Sequence, residues 1–293
     1  MSKLSIVILN FNRPDYIKNY ILPKIISYNN VDEIIISHGK EETFFNISSN
    51  EIDPKMSDEW VKIKNLKHWE HHNKNYGLTL RFLSALEAKN PNIIIMDDDI
   101  IPTEDTINFL KEKIEEDSRR IYGIYGRNVN DKNEYSYTNY FGTTPIVLTR
   151  CLITTKEMCQ YFIDNFRKYE NDLIKNSKPY WNGEDILFSL LSIEKYGKLP
   201  KAYNLKHDNR VANYLDIDQS ISIGKGHNEY RKELTKYLME RMEIKDKIKE
   251  ERKIKHWKTQ VSYFVENSFL YYFFYVLVIL VFIANVHYYI IRI

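Results

Sequence analysis

The sequence predicts an α/β protein: a mostly parallel, partly mixed sheet sandwiched by helices, followed by one C-terminal transmembrane helix. Three observations carry that reading. Short apolar runs alternate along the chain with segments of helical period. The runs are continuously hydrophobic rather than alternating, which is the pattern of strands buried on both faces of a parallel sheet. Residues 269–291, FLYYFFYVLVILVFIANVHYYII, are long and apolar enough to cross a bilayer as a helix.

The elements follow in order. LSIVILN (4–10) reads as the first strand, ended by NFNRPD, where Asn12 and Pro14 signal a helix start. The helix after it carries Pro23, so a kink or break is expected there. VDEIIIS (31–37) is a second strand, KEETFFNISSNEID a polar connection, and WVKIKNL (60–66) a third strand. LTLRFLSALEAKN (78–90) is helical by period, and NIIIMDDD (92–99) is the fourth strand. TEDTINFLKEKIEED (103–117) is a helix capped by Thr103. IYGIYGRN (121–128) and PIVLTRCLITT (145–155) each read as one strand, with a Tyr- and Asn-rich loop over 129–144 between them. That loop is either a flexible surface segment or a place where tyrosines stack on sugar rings. KEMCQYFIDNFRKYEN is a further helix.

Length and composition set bounds. The 293 residues accommodate one large α/β domain and an appendage, divided here as 1–240, a basic juxtamembrane helix over 241–262, and a membrane anchor over 263–293. The 42 basic and 40 acidic residues leave a net charge of +2, which argues against a nucleic-acid partner held by bulk charge. Cys151 and Cys159 form no CxxC motif and are too few for a disulfide framework, so a reducing compartment is expected. No signal peptide precedes the first strand. Tyr271 and Tyr272 before the apolar stretch, and Tyr288 and Tyr289 near its end, resemble an interfacial belt. A buried core helix is the alternative, but one of that length would show a polar stripe. The flank ERKIKHWK (251–258) is basic while only Arg292 follows, so the positive-inside rule places the large N-terminal part in the cytosol, as in a tail-anchored protein.

In parallel sheets ligands bind outside the carboxyl ends of strands, which singles out Asn10–Arg13, His38–Gly39 and Asp97–Asp99. Neither GxGxxG nor GxxxxGK[ST] occurs, against a Rossmann dehydrogenase or a P-loop NTPase. Asp97, Asp98 and Asp99 are hard oxygen ligands suited to Mn²⁺ or Mg²⁺, ions that complete their shell with substrate phosphates. A solvated acidic turn is the plainer alternative. Arg81 lies ahead of the fourth strand, able to pair with that cluster or with a phosphate, or simply to face solvent. In YWNGEDILFSLLSIEKYG (180–197), Glu184 and Asp185 open an apolar helix that stops at Gly197. They either serve the positive helix end, with Asn182 as N-cap, or put a carboxylate at a reaction centre. In GKGHNEYRKEL (224–234), His227 and Arg231 are four apart on one helix face, suited to a metal and a diphosphate, or to a surface helix.

Taken in order, these motifs resemble those of GT-A glycosyltransferases, and more closely the exostosin-like family, glycosyltransferase family 64, over roughly residues 4–240. The matching features are NFNR with Asn12 and Arg13, the arginine Arg81, the triplet Asp97–Asp99, TTPIVLTRCLITT as a strand before a helix, Asn182-Gly183-Glu184-Asp185-Ile186, and the late pair His227 and Arg231. The resemblance implies metal-dependent transfer of a sugar, an N-acetylhexosamine, from a UDP-sugar donor to a glycan or glycoconjugate acceptor with retention of configuration. It implies that Arg13, Asn75 and Asp97 hold the nucleoside, with Asn12 in the same turn, and that Asp98 and Arg81 face sugar and ribose. It further implies Asp99 as the Mn²⁺ (or Mg²⁺) ligand with His227 as a second candidate, Arg231 on the diphosphate, Asp185 beside the anomeric carbon, and Glu184 on donor or acceptor. In that family the cysteine of the N-C-[DE]-D signature pairs with another three residues after the late arginine. Here those positions are Gly183 and Leu234, both halves replaced together, in keeping with a reducing compartment. The anchoring end is also reversed, Asn75 is one residue off register, and the family's asparagine after the second strand is replaced near His38. Three other readings stay open: an inverting glycosyltransferase, a nucleotidyltransferase of similar fold, and a silent membrane-anchored binding protein.

Overall fold

The structure, a computed structural model, describes residues 3–39, 45, 65–70, 77–174, 183–208 and 226–251. The chain divides into two compact units, Met1–Lys245 and Asp246–Ile293. Among the described residues no helix is long and apolar enough to cross a membrane; the stretch 269–291, the basic flank beyond residue 251, and Asn75 lie outside them.

Half of the main sheet is a parallel block. Strands β1 (Leu4–Asn10), β2 (Val31–His38), β3 (Asn65–Glu70) and β4 (Asn92–Met96) lie in the spatial order β3–β2–β1–β4, all parallel. Every residue of β1 is buried, as its unbroken apolar pattern requires. Each such Ile, Leu or Val contributes about 1.5–3 kcal/mol by leaving water. The register pairs Asn10 with His38 and Ile8 with Met96, so the carboxyl ends of β1, β2 and β4 share one edge of the sheet. Asp97–Asp99 follow directly on that edge.

Beyond β4 the sheet becomes mixed. It continues through β11 (Cys151–Thr155), β6 (Tyr122–Gly123), β12 (Lys201–Ala202) and β9 (Gly142–Thr143), with β11 antiparallel to both β4 and β6. A small sheet is built from β10 (Ile146–Val147), β7 (Gly126–Val129) and β8 (Tyr135–Tyr140), and a ribbon from β5 (Ile101–Pro102) and β13 (His207–Asp208).

Helix α1 runs through Pro14–Tyr16, a π-type turn at Ile17–Ile21 and Leu22–Ile25. The irregularity expected at Pro23 sits just before it, because the missing N–H of Pro23 is accommodated by the widened turn upstream. The other helices are α2 (Leu80–Leu86), α3 (Glu104–Glu116), α4 (Lys156–Ile174), α5 (Glu184–Tyr196) and α6 (His227–Arg241). The Thr103 side chain caps α3 by accepting the Thr106 N–H, and Gly197 ends α5 in the left-handed conformation.

Three local expectations are corrected. Residues 121–128 form two short strands rather than one, and so do residues 145–155. The second break falls at Leu148–Arg150, where backbone groups leave the sheet: the Leu148 N–H donates to the Tyr125 carbonyl and the Arg150 carbonyl accepts the Asp97 N–H. Residues 129–144 are not a loose loop. They include a hairpin arm, β8, entered through a turn in which Asn133 takes a positive φ of 62° and Asn130 accepts local N–H groups.

Candidate active site

Two packed helices bring the site together. Phe82 of α2 lies 4.3 Å from the Phe188 ring of α5 and 4.4 Å from the Phe162 ring of α4, and all three are fully buried. Phe82 is next to Arg81, and Phe188 is one turn from Glu184. This aromatic cluster, with pairs worth about 0.5–1.5 kcal/mol each beyond burial, therefore fixes Arg81 against the start of α5.

Each aspartate of the triplet has its own arginine. Asp97 accepts from Arg81 Nη1 at 2.6 Å, Asp98 from Arg13 Nη1 at 2.8 Å, and Asp99 from Arg150 Nε at 3.4 Å. The three are exposed differently: the side chain of Asp98 is 6% exposed, that of Asp99 20% and that of Asp97 31%. Asp98 points back into the protein. Its Oδ2 accepts the backbone N–H groups of Phe11, Asn12 and Arg13, each at 3.2 Å, so it holds the β1–α1 loop in shape. Burial, then the charge of Asp97, holds the Asp99 carboxyl above its ordinary range, against the pull of Arg150 and Arg13.

Arg81 is buried and spans the site. Its Nε donates to the Leu78 carbonyl at 3.0 Å, its Nη1 reaches the Thr149 carbonyl at 3.4 Å, and its Nη2 stands 3.8 Å from Glu184 Oε1. Burial works against its charge, but Asp97 and Glu184 outweigh burial and raise its pKa. Glu184 accepts from the Thr149 hydroxyl at 3.1 Å and from the Gly183 N–H at 3.2 Å. Burial first, then the adjacent Asp185, pushes its carboxyl up to about 7 despite Arg81 and Arg231.

Asp185 makes a second buried pair. Its Oδ2 accepts from Arg231 Nη2 at 2.7 Å and its Oδ1 from the Ile186 N–H at 2.8 Å. Arg231 also donates to the Tyr135 hydroxyl at 3.2 Å. Its pKa is raised: burial opposes the charge, and Asp185 and Tyr135 more than offset it. His227 opens α6, and burial, then Arg231, lowers its imidazole pKa.

The two positions marked by the missing disulfide are in contact. A Cβ on Gly183 would run into Leu234 Cδ2, so the leucine side chain occupies the room beside the glycine.

The structure thus brings Arg13, Arg81, Asp97, Asp98 and Asp99 to the end of β4, and Glu184, Asp185 and Arg231 to the start of α5, with Arg81 touching both groups. Asn12 takes part through its backbone. Asn75 and Asn182 lie outside the described residues, and the N-cap of α5 is Gly183. Thr149, Arg150 and Tyr135 complete the site and were not anticipated. The polar pair Thr149-Arg150 interrupting an otherwise apolar run was the available signal for the first two.

Among the described residues, no three His, Cys, Asp or Glu side chains converge as a metal cage. The donor set does fit an ion that takes one or two protein carboxylates and fills its shell with phosphate and water. Asp99 and Asp97 are partly exposed, crowded by like charge, and oriented from the strand edge where ligands bind.

A model of the glycosyl transferase family 64 domain matches residues 4–257. The chain belongs to glycosyl transferase family 64. Family membership makes it a glycosyltransferase. Among solved structures, it is similar to the mannosyltransferase PcManGT from Pyrobaculum calidifontis, in complex with GDP-Man and Mn²⁺: 14% identity, TM-score 0.42, covering 69% of this chain and 54% of that one. It is also similar to S. aureus TarS 1–349: 15% identity, TM-score 0.41, covering 68% of this chain and 57% of that one. The matched region is thus just over half of each solved chain. No curated protein matches the sequence.

Proposed function

We propose that this family 64 glycosyltransferase is exostosin-like and of GT-A type, and transfers a sugar, an N-acetylhexosamine, from a UDP-sugar to a hydroxyl of a glycan or glycoconjugate with retention. The observation that carries the proposal is a linked set of ion pairs on two buried arginines: Arg81 between the partly exposed Asp97 and the buried Glu184, and Arg231 on the buried Asp185, joined at the first turn of α5. Buried charges of this kind are costly and are kept where an orientation matters.

In this reading the β1–α1 loop and Asp97 receive the nucleoside, with Arg13 and Asn12 held in place by Asp98; Asn75 is a further candidate from the motif alone. Asp98 serves by shaping that loop rather than by reaching the sugar. Asp99, with His227 as a further candidate, would hold Mn²⁺ or Mg²⁺, which neutralises the leaving diphosphate. Arg231 adds positive charge where negative charge develops as the sugar–phosphate bond breaks. Asp185 stands against the electron-poor anomeric carbon, and Glu184 fixes Arg81 while facing donor or acceptor. Residues 269–291 anchor the domain in a bilayer, with the catalytic part on the cytosolic side.

A screen of nucleotide-sugars for Mn²⁺-dependent hydrolysis, read by release of the nucleoside diphosphate, tests the enzyme reading. Asp99→Ala and Asp185→Ala should abolish the signal. A wild-type chain that neither hydrolyses a nucleotide-sugar nor binds UDP with Mn²⁺ sinks it. Inversion is the second reading, favoured by a Glu184 carboxyl near 7, where a general base works well. The anomer of the product, read by NMR, decides between them. Protease protection on intact vesicles tests the orientation.

A further inference from the structure

The hairpin arm β8 contributes one side chain to the site that no motif marks. Tyr135 is buried, and its ring lies under the Arg231 guanidinium with the cation 4.6 Å from the ring centroid. Its hydroxyl accepts a hydrogen bond from the same Arg231 Nη2 that binds Asp185. One aromatic residue therefore restrains the arginine in two directions, by the ring face and by the oxygen. The hairpin is itself tied to the helix that carries Arg231. The Tyr137 hydroxyl donates to the Asn228 carbonyl, and the Tyr135 and Tyr137 rings pack edge to face at 4.9 Å.

The spare valence of Tyr135 points the same way. Arginine has no acceptor atom, so in the bond to Arg231 the tyrosine oxygen is the acceptor and keeps its own proton. Among the described residues no acceptor takes that proton. Burial, before any charge, raises the hydroxyl pKa, so the proton stays on. The charged groups facing Tyr135 are Arg231 and Asp185 from α6 and α5, and Arg127 from β7.

We propose that Tyr135 is a positioning residue for sugar transfer: it holds the Arg231 guanidinium in the orientation that serves both Asp185 and the diphosphate. The inference rests on the sugar-transfer reading above. It makes the β7–β8 hairpin part of the active-site frame rather than an acceptor loop.

Two cycles test it, one independent of activity. In urea denaturation, Tyr135→Leu, Arg231→Lys and the double variant are compared with wild type. Coupled residues give a double variant whose midpoint falls no lower than that of the worse single variant, whereas fully additive losses overturn the contact on which the inference depends. In donor hydrolysis, Tyr135→Leu should lower kcat about tenfold with KM changed less than about twofold, because the arginine is needed most as charge develops. Tyr135→Phe, which keeps the ring, should recover about half or more of the lost rate on a logarithmic scale. In the Arg231→Lys background the Tyr135→Leu effect should shrink below about threefold. If Arg231→Lys has no measurable turnover, the same comparison is read from UDP affinity in Mn²⁺ by calorimetry. An equal fold-loss in both backgrounds, or Tyr135→Leu within twofold of wild type, overturns the proposal. A wild type without any hydrolysis overturns the sugar-transfer reading instead, and the urea cycle still judges the contact.

Discussion

The carboxylates that follow β4 and those that open α5 are both held by arginines, but they are held to different ends. Asp97 and Asp99 stand partly in solvent, and the Arg150 contact of Asp99 is long at 3.4 Å. Glu184 and Asp185 are buried, as are both arginines that face them, and the Asp185–Arg231 contact is short at 2.7 Å. A charge left half-solvated can be given to an incoming ion at small cost to the fold. A charge locked into a dry ion pair is part of the fold, and removing one partner strands the other. The comparison therefore predicts that the two sets fail differently when mutated, and the following changes are ranked by expected loss of stability.

Asp185→Asn should cost most. It leaves the buried Arg231 guanidinium facing a neutral amide, which destabilises by about 3–5 kcal/mol when a buried pair loses one partner. Urea denaturation reads the loss, and donor hydrolysis should fall by about a hundredfold or more. An unchanged midpoint would show that this pair is more hydrated than its burial indicates, and would erase the contrast between the two sets.

Gly183→Ala comes next, because its Cβ would collide with Leu234 Cδ2. Overpacking of that kind costs about 1–3 kcal/mol. Leu234→Ala removes the obstacle, so the double variant should be more stable than the sum of the two single losses predicts. Simple additivity in urea would place the conflict elsewhere. The measurement also tests whether the first turn of α5, which carries Glu184 and Asp185, tolerates any displacement.

How much of this was legible in the residues differs by region. The parallel block was, because β1, β2 and β4 bury both faces and so carry mostly apolar runs, whose carboxyl ends are where such sheets bind ligands. The pairing of Arg81 with the acidic triplet was, because an arginine ahead of that strand can reach its end, and the structure supplies Asp97; Arg231 was expected against a diphosphate, and the structure shows its partner Asp185. The mixed half was not. Residues 145–155 were read as one strand because apolar residues flank Thr149-Arg150 on both sides, although that polar pair marks where the chain leaves one sheet at Val147 and joins another at Cys151. That break is what delivers Thr149 to Glu184 and Arg150 to Asp99. Tyr135 was hidden for a related reason: a strand read as a loop has no alternation to show which tyrosine faces inward. The resemblance sets Asp98 toward sugar and ribose; in the structure the chain turns after Met96, and Asp98 Oδ2 accepts the N–H groups of Phe11, Asn12 and Arg13 in the β1–α1 loop, a contact that no hydrophobic pattern shows.

Glu184→Gln should have a smaller effect whose sign depends on pH. The folded state holds the Glu184 carboxyl up near 7 instead of the usual 4.5. Between those values the fold keeps a proton that the unfolded chain has lost, so stability falls as pH rises through the window. The glutamine cannot titrate. The variant should match wild type below about pH 4.5 and become relatively more stable toward pH 7 and above. Asp99 shifts in the same direction, so the informative quantity is the difference in slope between the two proteins rather than either slope alone. Parallel stability curves for wild type and Glu184→Gln would show that Arg81 and Arg231 keep the carboxylate ionised, and would move Glu184 from candidate base to pure electrostatic partner.

Asp99→Asn should change stability least, and that is its value. The carboxylate is partly exposed, holds its arginine at a weak distance, and shares a short turn with two further aspartates. Relief of like-charge crowding then offsets the lost ion pair, and the unfolding free energy read by urea should change by less than about 0.5 kcal/mol in either direction. On the proposed metal-dependent reading, donor hydrolysis with Mn²⁺ present should nevertheless fall by about a hundredfold, with the Mn²⁺ concentration for half-maximal rate shifted upward. Fold kept and activity lost is the signature of a side chain presented to a ligand. If Asp99→Asn instead unfolds the protein as Asp185→Asn does, the triplet is a structural ion-pair cluster, and the proposed role of Asp99 as metal ligand falls.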